Sequence, residues 1–139
     1  MSLLVVMKGP VAIAGSIPFF SKIIGTDVPI KAATIITHNI EKEITDKTKA
    51  VIGVHLFGQA FSPKLRGICD KYQIALVEDA AQAHGTTLNG VKAGAIGDVA
   101  CFSFFPSKNM AVGGEGGMIT TMRKDLAQRM SRLVDHGRN

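Results

Sequence analysis

The sequence contains no tryptophan, one tyrosine and two cysteines among its 139 residues. Cys69 and Cys101 form neither a CxxC pair nor a spaced framework, which argues against a disulfide scaffold and against a structural zinc site. The four histidines lack HxH and HExxH spacing, so the sequence predicts no metal centre. A GxSxG motif is also missing, so a serine hydrolase of that type is not indicated.

Long apolar runs and blocks of like charge are missing as well. The apolar start of the chain, residues 1–8, has no basic segment before it and is too short to span a membrane. We therefore expect no membrane anchor and no signal peptide, and a cytoplasmic location is the default. The 16 Lys and Arg residues outnumber 11 Asp and Glu, which gives a net charge of +5. Because these charges are dispersed and not interleaved with aromatic residues, they indicate a solvated surface rather than a nucleic-acid interface.

The residues that are present are typical of one globular domain. Hydrophobic residues make up 46% of the chain and charged residues 19%, which is the balance of an ordinary folded protein. A length of 139 residues allows one modest core. The 15 glycines favour a loop-rich α/β protein over a helix bundle.

Residues 50–79 carry the pattern of a strand, a helix and a second strand. The apolar run of residues 50–57 predicts a strand buried on both faces of a parallel sheet, and His55 within it is expected to be a hydrogen-bonded core residue. Ser62-Pro63 predicts the start of a helix. A strand over residues 74–77 then ends at Glu78-Asp79, which completes a βαβ unit. The predicted buried face of the helix has helical spacing: Leu65, Ile68, Cys69 and Tyr72.

Further elements are predicted on both sides of this unit. Downstream, the pattern indicates strands over residues 99–104 and 116–121 and a helix over residues 123–136. Upstream, a strand over residues 33–36 and a helical turn over residues 41–44 are weaker predictions, because prolines interrupt the pattern. The apolar face of the last helix is predicted to consist of Leu126, Met130, Leu133 and Val134.

Two residues stand where chemistry could occur. Asp79 comes at the carboxyl end of a buried strand, where open α/β sheets place their ligands. Lys108 follows the apolar stretch 102–105, so it would be partly desolvated, which favours the neutral, nucleophilic amine. The glycine cluster 113–117 gives room for close backbone approach but lacks the Walker pattern.

Each polar candidate also has a purely structural explanation. Asp79 could cap a helix or accept a loop hydrogen bond, and Lys108 could be a solvated lysine in a turn. Ser103 could be a core hydroxyl satisfied by backbone groups. The polar side chains of the loop after Asp79 could equally be local hydrogen-bonding groups: Gln82 and His84.

The order of several segments, taken together, resembles one family. The chain resembles the pyridoxal-phosphate-dependent nucleotide-sugar aminotransferases of the DegT/DnrJ/StrS group, which have the aspartate-aminotransferase fold. The resemblance covers residues 40–137, and residues 1–39 match poorly. It implies an α/β three-layer sandwich with a mostly parallel sheet, as part of the large domain and without the C-terminal small domain. The segments that carry it are residues 47–52, 54–59, 77–85, 97–98, 102–109 and 113–117.

The resemblance implies a role for four residues. The aspartate matching Asp79 pairs with the pyridine nitrogen of pyridoxal 5′-phosphate, and the glutamine matching Gln82 lies near the ring hydroxyl. The serine matching Ser103 hydrogen-bonds the phosphate. The lysine matching Lys108 holds the cofactor as a Schiff base and then moves a proton between carbon atoms. Because related sugar dehydratases carry histidine at that position, lysine indicates the transaminating branch.

The implied reaction transfers an amino group, with glutamate as the expected donor, to a keto group on a nucleotide-linked sugar. Such a reaction serves amino-sugar biosynthesis for surface polysaccharide, lipopolysaccharide or a glycosylated metabolite, and the implied assembly is a homodimer. The chain is much shorter than such enzymes, so we expect weak or no activity from it alone. The alternative is a non-catalytic chain, a binding or assembly module that keeps the core sheet and pairs through its exposed edge.

Overall fold

The computed structural model describes residues 2–6, 30–33 and 40–134. Six strands form one sheet in the order β2-β1-β3-β4-β7-β8, in which every neighbouring pair is parallel except the antiparallel pair β7–β8. A separate two-stranded hairpin consists of β5 and β6. The strands are β1 Ser2–Val6, β2 Ile30–Ala33, β3 Thr48–Val54, β4 Ala75–Asp79, β5 Thr87–Leu88, β6 Val91–Lys92, β7 Val99–Ser103 and β8 Gly117–Thr120. The helices are α1 Ile40–Glu43, α2 Lys64–Lys71 and α3 Lys124–Val134.

Helices cover both faces of this sheet. Because successive side chains of a strand point to opposite faces, β3 and β4 each contribute to two separate clusters. One cluster packs against α3 and contains Ala50, Ile52, Val77, Val99 and Met130. The other packs against α1 and α2 and contains Ile40, Val51, Leu65, Cys69 and Leu76. The predicted three-layer α/β architecture with a mostly parallel sheet is therefore confirmed.

The predicted βαβ unit corresponds to β3, α2 and β4. α2 begins directly after Pro63, as predicted, and buries Leu65 and Cys69. Tyr72 differs from the prediction, because α2 ends at Lys71 and the tyrosine is 38% exposed. β3 ends at Val54 instead of residue 57, because residues 56–58 form a 3-10 turn.

The outer elements agree with the predictions in type and differ at their ends. The predicted strand 116–121 is β8, and the helical turn expected near residues 41–44 is α1. α3 buries Met130, whereas Leu133 and Val134 are exposed near its end. The predicted strand 33–36 meets β2 only at Ala33, and residues 34–36 lie outside the described part of the chain. None of the helices described is long and apolar enough to cross a membrane.

The carboxylate of Glu78 joins β4 to its surroundings. It is fully buried and accepts a hydrogen bond from His55 Nε2 at 2.8 Å. The remaining donors are the backbone N–H groups of Gly94, Ile96 and Gly97. Gly97 is required at its position, because a Cβ there would lie 2.7 Å from the carbonyl oxygen of Leu76. The loop before β7 is therefore fixed to β4 by one side chain.

His55 is the core histidine that the sequence predicted. It is fully buried, donates to Glu78 through Nε2 and accepts the N–H of Phe61 at Nδ1 over 3.4 Å. Its ring also stacks on the Phe61 ring at a centroid distance of 4.3 Å. Both ring nitrogens are thus satisfied by the tautomer that carries its proton on Nε2.

Glu78→Gln should lower the free energy of unfolding by about 3 kcal/mol, the usual cost of breaking a buried charged network. The new NH2 group cannot accept the hydrogen bonds that the carboxylate oxygen accepted. Urea denaturation measures the change. Glu41→Gln is the matched control, since it removes a carboxylate whose ion pair with Lys71 is exposed, and it should have little effect. Equal losses for the two variants would contradict the prediction.

The contribution of Glu78 should also depend on pH. Burial alone would raise the pKa of Glu78, but hydrogen bonds from His55 and three backbone N–H groups hold it below its ordinary value of 4.5. A carboxylate with a lowered folded pKa stabilises the fold above the unfolded pKa and loses that contribution as the pH falls through the folded pKa. The difference in unfolding free energy between wild type and Glu78→Gln should therefore shrink below pH 4.5. A difference that stays constant down to about pH 3 would be the opposite result.

Candidate active site

The predicted site residues lie at one edge of the sheet. β3, β4 and β7 are parallel and end at Val54, Asp79 and Ser103, so their carboxyl ends meet at the same edge. Asp79 is paired in register with Cys101 of β7, two residues before Ser103. The turn after β7 then brings Lys108 close enough for its charge to act on Asp79. This edge is where ligands bind in open α/β sheets.

Asp79 is a buried carboxylate with few partners. Its side chain accepts one hydrogen bond, from the N–H of Ala81 at 3.0 Å, and the residue is 8% exposed. Burial raises the pKa of Asp79 above its ordinary value, although the Ala81 N–H and the charge of Lys108 oppose that rise. A cationic hydrogen-bond donor would therefore stabilise this carboxylate.

Lys108 lies in the turn that follows β7. Its backbone N–H donates to the carbonyl of Phe105 at 2.8 Å, which closes the turn, and the residue is half-buried. Its charge acts on the Asp79 carboxyl and opposes the rise in the Asp79 pKa, while desolvation of the Lys108 amine stays a prediction. Such a group is suited to covalent chemistry with a carbonyl compound.

The side chains of Gln82 and Ser103 each accept a hydrogen bond from a nearby backbone N–H group. The Gln82 Oε1 atom accepts the N–H of Phe57 at 3.0 Å, and the Ser103 Oγ atom accepts the N–H of Phe105 at 3.3 Å. Both residues are half-buried. Each contact uses an oxygen acceptor, so among the described residues the Gln82 NH2 group and the Ser103 hydroxyl hydrogen are left to donate.

Asp79 and Ser103 lie on the opposite side of the sheet from two other polar residues, Glu78 and His84. By alternation, Asp79 and Ser103 belong to the face of the sheet that packs against α3, and Glu78 belongs to the opposite face. His84 contacts the rings of Phe102 and Phe104, at centroid distances of 5.5 and 5.4 Å. His84 therefore lies on the other side of β7 from Ser103.

His84 is unusual for a different reason. Both of its ring nitrogens are buried, and neither has a hydrogen-bond partner among the described residues. Buried polar atoms are satisfied in most proteins, so this ring is a local cost in the fold. The structural interpretation of His84 as a local hydrogen-bonding group is therefore not supported among the described residues.

The two cysteines are unpaired thiols. Burial raises the pKa of the Cys101 thiol to about 12, and the charge of Asp79 adds to that rise. Burial also raises the pKa of Cys69 to about 11. Neither thiol is therefore a ready nucleophile. In the part of the chain that the structure describes, no group of three or more His, Cys, Asp and Glu side chains could hold a metal ion.

Glu78 is the residue near this edge whose structural role the sequence did not predict. It follows an apolar strand, and in sequence it is indistinguishable from a residue at the solvent end of that strand. Gly97 offered a signal, since glycine permits close backbone approach, and a Cβ there would meet Leu76 and Glu78. Glu78 does not enter the site, but it fixes the strand that carries Asp79.

Comparison with known proteins gives consistent matches. The sequence matches the DegT/DnrJ/EryC1/StrS aminotransferase family over residues 10–139. It is 41% identical over 124 residues to UDP-N-acetyl-3-dehydro-alpha-D-glucosamine 3-aminotransferase of Acidithiobacillus ferrooxidans, covering 88% of this chain and 32% of that protein. It is 43% identical over 99 residues to dTDP-3-amino-3,4,6-trideoxy-alpha-D-glucose transaminase of Streptomyces venezuelae, covering 70% of this chain and 26% of that protein.

Solved structures agree. The aminotransferase from Psychrobacter cryohalolentis superposes with a TM-score of 0.83 at 30% identity, covering 99% of this chain and 36% of that one. S. venezuelae DesV in complex with a ketimine intermediate superposes with a TM-score of 0.81 at 31% identity, covering 99% and 38%. The chain thus spans about a third of the length of the relatives that it matches. With the sheet, the position of the site and these similarities in agreement, the chain belongs to the DegT/DnrJ/EryC1/StrS aminotransferase family.

Proposed function

We propose that this chain is the cofactor-binding core of a pyridoxal-phosphate-dependent aminotransferase that acts on a nucleotide-linked keto sugar. The observation that carries the proposal is the pair formed by Asp79 and Lys108. Asp79 is a buried carboxylate at the carboxyl end of β4, the charge of Lys108 acts on it, and the chain belongs to an aminotransferase family.

The residues present fit pyridoxal 5′-phosphate. The burial that raises the pKa of Asp79 is relieved by a positively charged ring N–H, so this carboxylate would keep the pyridine nitrogen protonated. The Ser103 hydroxyl is free to donate to a phosphate oxygen, and the Gln82 amide would lie beside the ring hydroxyl. When bound, the cofactor supplies a ring that withdraws electrons from the amine carbon.

Lys108 has two tasks in this proposal. Once deprotonated, its amine would hold the cofactor covalently, and after release it would accept and return the proton at the amine carbon. Both tasks need an amine that is not fully hydrated, and the turn after β7 supplies such a position. A lysine at this position also supports amino transfer over the dehydration chemistry of related proteins that carry histidine.

The substrate class is proposed from the relatives. They include proteins named for UDP-, GDP- and dTDP-linked sugars, so we propose a nucleotide-linked keto sugar without choosing the nucleotide. Glutamate is the proposed amino donor, and a homodimer is the proposed assembly. Residues 1–139 are proposed to be part of the large domain of the enzyme, with residues 40–137 as the part that matches the family core. The two unpaired thiols suit a reducing compartment, so the proposed location is the cytoplasm.

Lys108 should be the residue that pyridoxal 5′-phosphate modifies. Incubation with the cofactor followed by sodium borohydride should leave a stable adduct on the peptide that contains Lys108, because reduction fixes an amine–aldehyde linkage. Peptide mass spectrometry locates the adduct. Lys92→Ala serves as the control, since Lys92 is an exposed lysine of the hairpin, and it should not change the yield.

Lys108→Ala should abolish this adduct. If wild type forms none, or if the adduct survives in Lys108→Ala, the cofactor assignment fails. A second assay, with glutamate and a nucleotide-linked keto sugar, tests amino transfer itself, and the Lys108→Ala variant supplies its background rate.

Asp79→Asn should separate stability from cofactor binding. Because burial raises the pKa of Asp79 in the fold, the ionised carboxylate destabilises the fold at pH values above the folded pKa; this penalty shrinks as the pH falls through the folded pKa and is gone below the unfolded pKa. Asparagine keeps an oxygen for the Ala81 N–H without the charge. Without cofactor, the variant should therefore be more stable at pH 7, on the order of 1 kcal/mol.

The same variant should bind pyridoxal 5′-phosphate at least about tenfold more weakly, the usual cost of losing a hydrogen bond to a charged group. Urea denaturation with and without the cofactor measures both effects. If Asp79→Asn is less stable without cofactor, or gains as much stability from it as wild type, the proposed partnership between Asp79 and the ring nitrogen is wrong.

A further inference from the structure

The turn after β3 has a strained backbone. Phe57 adopts φ 52° and ψ 33° within the 3-10 turn Leu56–Gly58, a left-handed conformation that is uncommon for a bulky residue. Its side chain is 77% exposed, so packing of the ring does not hold the backbone there. A conformation of this kind persists only where surrounding contacts impose it.

Two side chains from the loop after β4 supply such contacts. The Thr86 hydroxyl donates to the carbonyl oxygen of Gly58 at 2.8 Å. The Gln82 Oε1 atom accepts the N–H of Phe57 at 3.0 Å. Within the turn, the N–H of Gln59 donates to the carbonyl of Leu56 at 2.9 Å. The turn is therefore clamped to the loop that carries Gln82.

This clamp determines how the Gln82 amide is oriented. A backbone N–H can be accepted only by the amide oxygen, so the contact with Phe57 fixes Oε1 toward the turn. The NH2 group must then point away from that contact and is available as a donor. If Phe57 rotated out of the left-handed region, the amide would lose the partner that sets its orientation.

We propose that Thr86 is a positioning residue: through the Gly58 carbonyl it holds the left-handed Phe57 turn, which fixes Gln82 as a hydrogen-bond donor in the site. This inference rests on the proposed function, because the group that receives the hydrogen bond is the ring oxygen of the cofactor. A donor at that place stabilises the anionic form of the ring oxygen over its protonated form.

Thr86→Val tests the clamp, because valine keeps the shape and removes the hydroxyl. Hydrogen exchange of the Phe57 amide in the cofactor-free protein is the first measurement. We expect exchange at least about fivefold faster, since the local opening of the turn becomes easier. Thr86→Ser should restore protection. Thr87→Val is the matched control, because the Thr87 hydroxyl makes only an exposed 3.4 Å contact with the Gly85 carbonyl.

Cofactor binding is the second measurement. Thr86→Val should weaken pyridoxal 5′-phosphate binding by roughly tenfold, about the effect of one lost hydrogen bond to a charged group. It should also raise the pH at which the absorbance of the bound cofactor changes. Gln82→Glu should produce the same spectral shift without faster exchange at Phe57, because a carboxylate still accepts that N–H and cannot donate.

The outcomes separate this inference from the proposed function. If wild type forms no adduct with pyridoxal 5′-phosphate, the proposed function and the donor role of Gln82 both fall. If wild type binds the cofactor and Thr86→Val matches Thr87→Val in exchange, affinity and spectrum, the positioning inference alone is overturned. Faster exchange in Thr86→Val with an unchanged spectrum would also overturn it, since Thr86 would then hold the turn without orienting Gln82.

Discussion

The hydrogen bonds received by the buried Glu78 carboxylate connect the strand that carries the site to the elements around it. The side chain accepts from His55, at the end of β3, and from three backbone N–H groups of the loop that leads into β7. β4 lies between those two strands in the sheet, so one carboxylate ties the end of β3 and the loop that leads into β7 to the carboxyl end of β4. The edge that carries Asp79 and Ser103 can hold its geometry because this network is fully satisfied.

Adjacent carboxylates in β4 have opposite electrostatic environments. Hydrogen bonds hold the pKa of Glu78 below its ordinary value, whereas burial with a single N–H partner raises the pKa of Asp79. Strand alternation is the reason, since it sends one side chain toward the loop N–H groups and the other toward the α3 side of the sheet. Glu78 therefore has a structural role, and the role proposed for Asp79 is chemical.

The sequence predicted the parts of the fold that depend on local signals. The apolar runs of β3 and β4 and the Ser62-Pro63 helix start specify the βαβ unit without long-range information. The position of the candidate site could be predicted for the same reason, since a polar residue directly after a buried parallel strand lies at the edge of the sheet where ligands bind. The resemblance to a family added the roles of Gln82 and Ser103, which their local contacts alone do not reveal.

The features that escaped prediction depend on residues distant in sequence. β3 ends early because Phe57 is held in a left-handed turn by Gln82, 25 residues further along the chain. Glu78 is buried because its donors come from the loop before β7. The hairpin β5–β6 is different, because the Asn89-Gly90 pair with positive φ at both residues was a readable two-residue turn signal.

Residues whose local conformation or environment destabilises the fold are concentrated at the carboxyl edge of the sheet. Phe57 is strained, Asp79 is a buried carboxylate with one hydrogen bond, and the His84 nitrogens have no described partner. The opposite end of β4 is well satisfied, because Asp98 accepts the Leu76 N–H at 2.8 Å and is paired with Arg66. The hydrogen-bond networks of Asp98 and Glu78 stabilise the two ends of β4 and so offset these unfavourable contributions to the stability of the fold. Under the proposed function, a bound cation would remove the cost at Asp79, and the turn held at Phe57 would fix the Gln82 donor.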